Sequence, residues 1–263
     1  MKPKKSLGQN FLKSEKALNQ MIDSAGVCGE DVVLEIGPGK GALTEKLLKT
    51  GAKVLAVEKD SELILFLQDK FAKEIIEKRF VLIEADILDF NPKSYELRAT
   101  HYKLVANIPY YITGAIIRKF LESDFQPESV TLLVQKEVSD RIVAKDGKES
   151  ILSISVKVYG EPKYIAKVSK RYFTPEPKVD SAIIHISNIS KKNFKNIKEN
   201  EFFHVLKTGF SHKRKTIIKN LESLNISKES LISIFGDLNI SLNERAENID
   251  LKTWISLTHK LLK

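Results

Sequence analysis

The chain predicts an α/β fold: a mostly parallel sheet with helices on both faces, followed by a small all-helical domain. Three observations carry this. Apolar strand-like runs alternate with helical patterns from Val32 to Ser187, the pattern of consecutive βαβ units. A glycine-rich turn, Gly37-Pro38-Gly39-Lys40-Gly41, joins the first such run to the next helix. Beyond an Asn-, Lys- and Ser-rich linker at 188–200, every periodic segment is helical. The expected domains are residues 1–187 and 188–263.

The elements follow in order. Ala17, Leu18, Met21, Ile22 and Ala25 mark an amphipathic helix over 14–25 with Ser14 as N-cap. Val32–Ile36 is the first apolar strand of the alternating pattern. Leu43, Leu47 and Leu48 line the helix after the glycines, and Lys53–Glu58 is the next strand. A helix is expected over 61–78, a strand over 80–86 ending in Asp86, and a buried strand over 102–107 ending in Asn107. Ile112, Ala115, Ile116 and Phe120 face inward on the helix that follows. Val130–Gln135 is a strand, 137–145 and 150–159 are helical, and 164–169 and 180–187 are extended. Helices are expected at 202–210, 216–225, 228–235, 241–247 and 251–262.

Composition sets further bounds. With 263 residues, 42% hydrophobic and 29% charged, the chain can bury a full core and a second small one. No apolar run reaches the ~18 residues of a membrane span. No apolar stretch follows the basic start Met1-Lys2-Pro3-Lys4-Lys5, and Cys28 is the only cysteine. A cytoplasmic protein with no membrane contact is therefore expected. His101, His185, His204, His212 and His259 are scattered, so no metal site is expected. The net charge of +9 is uneven. Lys2, Lys4, Lys5, Lys13 and Lys16 against Glu15 give the first 16 residues +4, and residues 187–263 carry +6. Two basic ends around a near-neutral middle suggest contact with a polyanion. Lys213-Arg214-Lys215, in a helix connection, is the strongest phosphate-contact candidate; a solvated lysine-rich surface is the alternative.

The chemistry is read at strand ends. Glycines let a backbone approach a ligand closely, and Glu58, 21 positions after Gly37, can take both ribose hydroxyls. The stretch also fits G-x-G-x-x-A, a dinucleotide fingerprint. Glu35 just before the glycines and Asp86 at the next strand end favour S-adenosylmethionine over NAD. A carboxylate at Asp86 can meet an adenine amino group.

Asn107-Ile108-Pro109-Tyr110 reads as a clamp on a planar amino group. The amide oxygen of Asn107 can accept one N–H bond. Pro109 has no N–H and can leave the Ile108 carbonyl for a second. Tyr110 offers a ring to stack on a base. The competing reading makes Asn107 a helix cap with Pro109 near the first helical position. In Phe173-Thr174-Pro175-Glu176-Pro177, two prolines hold a loop extended and present Phe173, with a core ring as the alternative.

On these motifs, with Ser6-Leu7-Gly8-Gln9-Asn10-Phe11-Leu12 and Phe210 to Leu221, the chain resembles the small-subunit ribosomal RNA adenine dimethyltransferases. The resemblance implies a class I S-adenosylmethionine methyltransferase, Rossmann-like with a mostly parallel seven-stranded sheet, and a helical C-terminal domain. It implies dimethylation of N6 on two adjacent adenosines near the 3′ end of small-subunit ribosomal RNA, with a part in subunit biogenesis. Cofactor contacts are implied for Asn10, Leu12, Gly37, Gly39, Glu58, Asp86 and Asn107. Asn107 to Tyr110 hold the base, with Phe173 sandwiching it against Tyr110. The implied partner is that RNA within the small subunit or its precursor, met by a monomer. A large-subunit adenine methylase of the erythromycin-resistance type and a non-catalytic assembly factor are the alternatives.

Overall fold

A computed structural model of the protein describes residues 3–4, 7–95, 97 and 101–262. Lys2 and Lys5 of the basic N-terminus and Ser6 of the N-terminal motif lie outside the described residues. The chain divides into two compact units, Met1–Ser139 with Pro162–Ile189, and Asp140–Glu161 with Ser190–Lys263. Among the described residues no helix is long and apolar enough to cross a membrane.

The first unit opens with a two-residue strand β1 (Phe11–Leu12) and helix α1 (Glu15–Ala25). Ser14 caps that helix as expected, its side chain accepting from the Ala17 amide. The alternating pattern then runs β2 (Val32–Ile36), α2 (Ala42–Lys49), β3 (Lys53–Glu58), α3 (Ser61–Lys70), α4 (Ala72–Ile76), β4 (Phe80–Glu84), β5 (Tyr102–Asn107), α5 (Thr113–Glu122) and β6 (Ser129–Gln135). Helices α6 (Lys136–Val143) and α7 (Ile151–Lys157) lead to β7 (Glu161–Val168), the short β8 (Phe173–Thr174) and β9 (Ser181–Ser187). The single helix expected over 61–78 is broken at Phe71, which is buried against Phe80 with ring centroids 5.2 Å apart. Burial of that ring outweighs helix continuity.

The seven-stranded sheet has the order β4-β3-β2-β5-β6-β9-β7. β4, β3, β2, β5 and β6 pair in parallel, and β9 returns antiparallel to β6. From β2 the chain first builds outward to β3 and β4, then crosses back to lay β5 on the other side of β2. That reversal opens a crevice beyond the carboxyl ends of β2 and β5. The glycine turn follows one of these strands and Asn107 ends the other. The antiparallel return sets Ser181 opposite Gln135, at the same end of the sheet. On one face, α1 lies against β5, β6 and β9 and buries Leu18 and Met21 completely, worth roughly 1.5–3 kcal/mol each.

The second unit holds α7 and the last turn of α6 together with α8 (Glu199–Gly209), α9 (Ile217–Leu221), α10 (Lys228–Asp237) and α11 (Leu251–Leu261). Two expectations need correction. No α-helix spans 241–247; a turn there leads into a short 3-10 segment at Ala246–Asn248. Asp140–Glu161 groups with the tail, so a single cut at 187 does not describe the units. The reason is aromatic: the Tyr159 ring lies 5.3 Å from Phe194 and 6.2 Å from Phe203, and Phe202 meets Phe203 at 5.4 Å.

Candidate active site

At the carboxyl ends of β2 to β5 lies a cavity of about 470 Å³. Asn10, Leu12, Gly37, Gly39, Glu58, Asp86, Asn107, Ile108, Pro109 and Tyr110 all line it. The parallel register explains the convergence. Ile36 pairs with Val57 and Glu58 with Glu84, so three strand ends stop level.

The glycine turn and Glu58 form one unit. Gly37 has φ of +62° and nothing within 4 Å of where a Cβ would stand, so its backbone faces open space. Gly39, at φ +59°, donates its amide to Glu58 Oε2 at 3.2 Å. Glu58 Oε1 accepts the amides of Lys59 and Asp60 at 2.9 and 3.0 Å. Burial pushes the Glu58 carboxyl up from its ordinary range, and these three amides oppose the shift. Oε1 is filled by its two amides, whereas Oε2 keeps a lone pair for a further donor. Asp86 is engaged differently: Oδ1 accepts from the Leu88 amide and Oδ2 pairs with Lys59 at 2.8 Å. Its carboxyl is held below the usual range, chiefly by Lys59.

Glu35 also lines the cavity and is only 1% exposed. Thr44 Oγ1 donates to its Oε2 at 2.7 Å. Burial pushes its carboxyl up to about 8, and the nearby Glu58 charge adds to this.

Across the cavity, Asn107 Nδ2 donates to the Asn10 carbonyl at 3.2 Å. That bond identifies which end of the amide is nitrogen, and it leaves Oδ1 as the acceptor for something else. The helix-cap reading of Asn107 does not hold, because α5 begins at Thr113 with Ile112 as its cap residue and no side-chain cap bond. Tyr110 is half-buried, and its hydroxyl bonds Ser181 Oγ at 2.6 Å, which fixes the ring at the cavity wall. Burial raises the pKa of that hydroxyl.

The family model for ribosomal RNA adenine dimethylase matches residues 1–263. The chain belongs to this family. Membership makes it a methyltransferase that acts on adenine in ribosomal RNA. It is 42% identical over 258 residues to a ribosomal RNA small subunit methyltransferase A of Dehalococcoides mccartyi strain CBDB1, covering 98% of this chain and 88% of the relative. A protein of the same description from Fusobacterium nucleatum is 42% identical, covering 97% and 96%. A dimethyladenosine transferase from Plasmodium falciparum superposes with a TM-score of 0.79 at 26% identity, covering 94% and 95%.

Against this family background two sequence expectations turn out differently from each other. Phe173 is not among the residues that line the cavity. It is 3% exposed and belongs to the apolar core with Leu12, its direct partner across the antiparallel β1–β8 pair. That pairing turns Phe173 inward and leaves Thr174, its neighbour, lining the cavity. Lys213, Arg214 and Lys215 do stand in an exposed turn between α8 and α9. The turn is fastened from below: buried Asn220 donates Nδ2 to the carbonyls of Gly209 and His212 at 2.6 and 3.2 Å.

Sequence reasoning missed Thr44 and Ser181. Thr44 has a weak local signal, a hydroxyl on the first turn after the glycines. Ser181 has none, since it is 71 residues from Tyr110 and reaches it only through the antiparallel return of β9.

Proposed function

We propose that the protein transfers methyl groups from S-adenosylmethionine to N6 of two adjacent adenosines near the 3′ end of small-subunit ribosomal RNA. The product is N6,N6-dimethyladenosine, and the substrate is the small subunit or its precursor, so the enzyme takes part in subunit biogenesis. The observation that carries the reading is the Asn107 amide, pinned by the Asn10 carbonyl in the cavity that also holds Glu58 and the glycine turn. The small-subunit assignment is favoured by the relatives of that description at 42% identity.

The residues fit the cofactor. Gly37 offers an open backbone, Gly39 lets the Phe11 ring approach and ties its amide to Glu58, Glu58 offers Oε2 to the ribose hydroxyls, and Asp86 offers an acceptor to the adenine amino group, shared with Lys59. Bound there, the cofactor supplies an electrophilic methyl on a sulfonium. The lone pair of adenine N6 is delocalised into the ring, so it is a poor nucleophile. Asn107 Oδ1 and the Ile108 carbonyl accept the two N6–H groups, which favours a pyramidal N6 whose lone pair is less delocalised and points toward the methyl carbon. Such orientation supplies several kcal/mol of a transfer barrier. Nitrogen forms the new bond, the sulfur keeps the electron pair of the broken one, and the proton leaves N6 afterwards to solvent. No strong base is required. Tyr110 stacks on the base, which must leave its helix to enter. The exposed cations Lys213, Arg214 and Lys215 hold phosphates.

Mapping modified adenosines by primer extension on ribosomal RNA from a deletion strain, before and after complementation, tests the reading. Loss of a single dimethylated pair in small-subunit RNA is expected, and modification of the large subunit instead would overturn it. Two further results are expected. Glu58→Ala should weaken binding of S-adenosylhomocysteine by about 1–3 kcal/mol, read by calorimetry, with NAD showing no binding to either protein. Changing Lys213, Arg214 and Lys215 together to Ala should flatten the salt dependence of RNA binding by about 2–3 in log K against log salt. An unchanged slope in filter binding makes the turn a solvated surface.

A further inference from the structure

Asp60 is buried, at 4% exposure, and the chemistry above does not use it. It follows Glu58 by two residues and caps α3, its Oδ1 accepting from the Glu62 amide at 3.1 Å. A cap can be solvent-exposed, so burial needs another cause. The cause is the N-terminal segment. Lys4 Nζ reaches Asp60 Oδ1 at 2.6 Å, and Gln9 Nε2 donates to Oδ2 at 2.8 Å. Gln9 Oε1 in turn accepts the Lys4 amide at 2.8 Å, which closes the segment into a loop on itself. Lys4 and Gln9 together hold the Asp60 carboxyl below its usual range, against the opposing effect of its burial.

The segment so fastened is not remote from the reaction. Gly8, Gln9 and Asn10 line the cavity, and Asn10 offers the carbonyl that accepts from Asn107 Nδ2. The Asp60 amide, at the other end, donates to Glu58 Oε1. A continuous set of bonds therefore runs from the ribose-binding carboxylate, through Asp60 and Gln9, to the amide that orients the base. We propose that Asp60 is a positioning residue for methyl transfer: it clasps the N-terminal segment over the cavity through Lys4 and Gln9, and so sets the orientation of the Asn107 amide. The inference rests on the reading that Asn107 holds the adenine amino group.

The clasp is separable from the cap. Asn is as good a cap as Asp, so Asp60→Asn keeps α3 capped while removing one of the two acceptor oxygens and one of the two charges that hold Lys4, the other being Glu62 at 3.0 Å. Lys4→Met removes the cation without touching the cap. For both variants and their double, the full chain is assayed for S-adenosylhomocysteine affinity, single-turnover methyl transfer at saturating cofactor, and amide hydrogen exchange over residues 7–12. Each single variant is expected to bind cofactor several-fold more weakly and to transfer about 10-fold more slowly even at saturation. The double variant should be no worse than Asp60→Asn alone, and exchange over 7–12 should quicken. Wild-type transfer rates at saturating cofactor in both single variants would overturn the proposal, as would strictly additive losses in the double. If the wild-type protein methylates no ribosomal adenosine, the functional reading fails instead. The clasp is then still tested by exchange, where unchanged protection of residues 7–12 in Asp60→Asn overturns it.

Discussion

Replacing Asn107 by Ala is expected to slow methyl transfer by about 100-fold or more, with cofactor affinity changed far less. In the proposed function the target base is held by several contacts, of which stacking on Tyr110 is one. Only the orientation of its lone pair depends on the Asn107 acceptor. The loss should therefore fall in kcat more than in KM for RNA. Asn107 is half-buried and caps no helix, so removing its side chain should leave the fold intact by circular dichroism. Asn107→Asp adds a sharper test. It keeps an acceptor for N6 but sets a carboxylate oxygen where Nδ2 now donates to the Asn10 carbonyl at 3.2 Å. Two acceptors facing one another repel, so this variant is also expected to be slow, although it retains Oδ1. Near-normal single-turnover rates in the Ala variant would remove Asn107 from the mechanism.

The parts of the site legible in the sequence are those where one residue type has few reasons to stand in its place. A carboxylate at the end of an apolar strand, Glu58, and a polar amide followed by Pro at the end of another, Asn107, conflict with burial unless a ligand or partner is present. Parallel pairing follows from the strands' alternation with helices, which calls for right-handed crossovers; the order of the strands does not, and it is set by packing. The illegible parts are those fixed by long-range packing. Local sequence left two readings for Phe173, a stacking ring and a core ring. The choice is made by the register of β1 on β8, in which Leu12 pairs with Phe173, 161 residues away. Likewise nothing around Asp140–Glu161 tells that Tyr159 finds its aromatic neighbours within the linker, at Phe194, and beyond it, at Phe203. The break at Phe71 has the same origin, since the helical pattern continues through it while its ring packs against Phe80 and Gly41, distant in sequence.

Glu35 gives the second large effect, in stability. Its side chain is fully buried beside Thr44, and burial followed by the charge of Glu58 raises its carboxyl from 4.5 to about 8. The sign is opposite to that of a salt-bridged acid. Between those two values the native state carries a proton that the unfolded chain has lost, so stability falls as pH rises through the window. The slope is about 1.4 kcal/mol per pH unit, which amounts to several kcal/mol between pH 5 and 8, and it levels off above that. Glu35→Gln has nearly the same shape, keeps an acceptor for the Thr44 hydroxyl and cannot ionise. Its urea midpoint should approach or fall below that of the wild type near pH 5 and exceed it increasingly up to pH 8 or 9. Other groups titrate in both proteins, so the difference between the two curves isolates Glu35. Parallel curves would mean that Glu35 is ionised in the native state, with Thr44 alone stabilising its charge. A widening gap would mean that Glu35 stands in the native cavity as a neutral acid through this window.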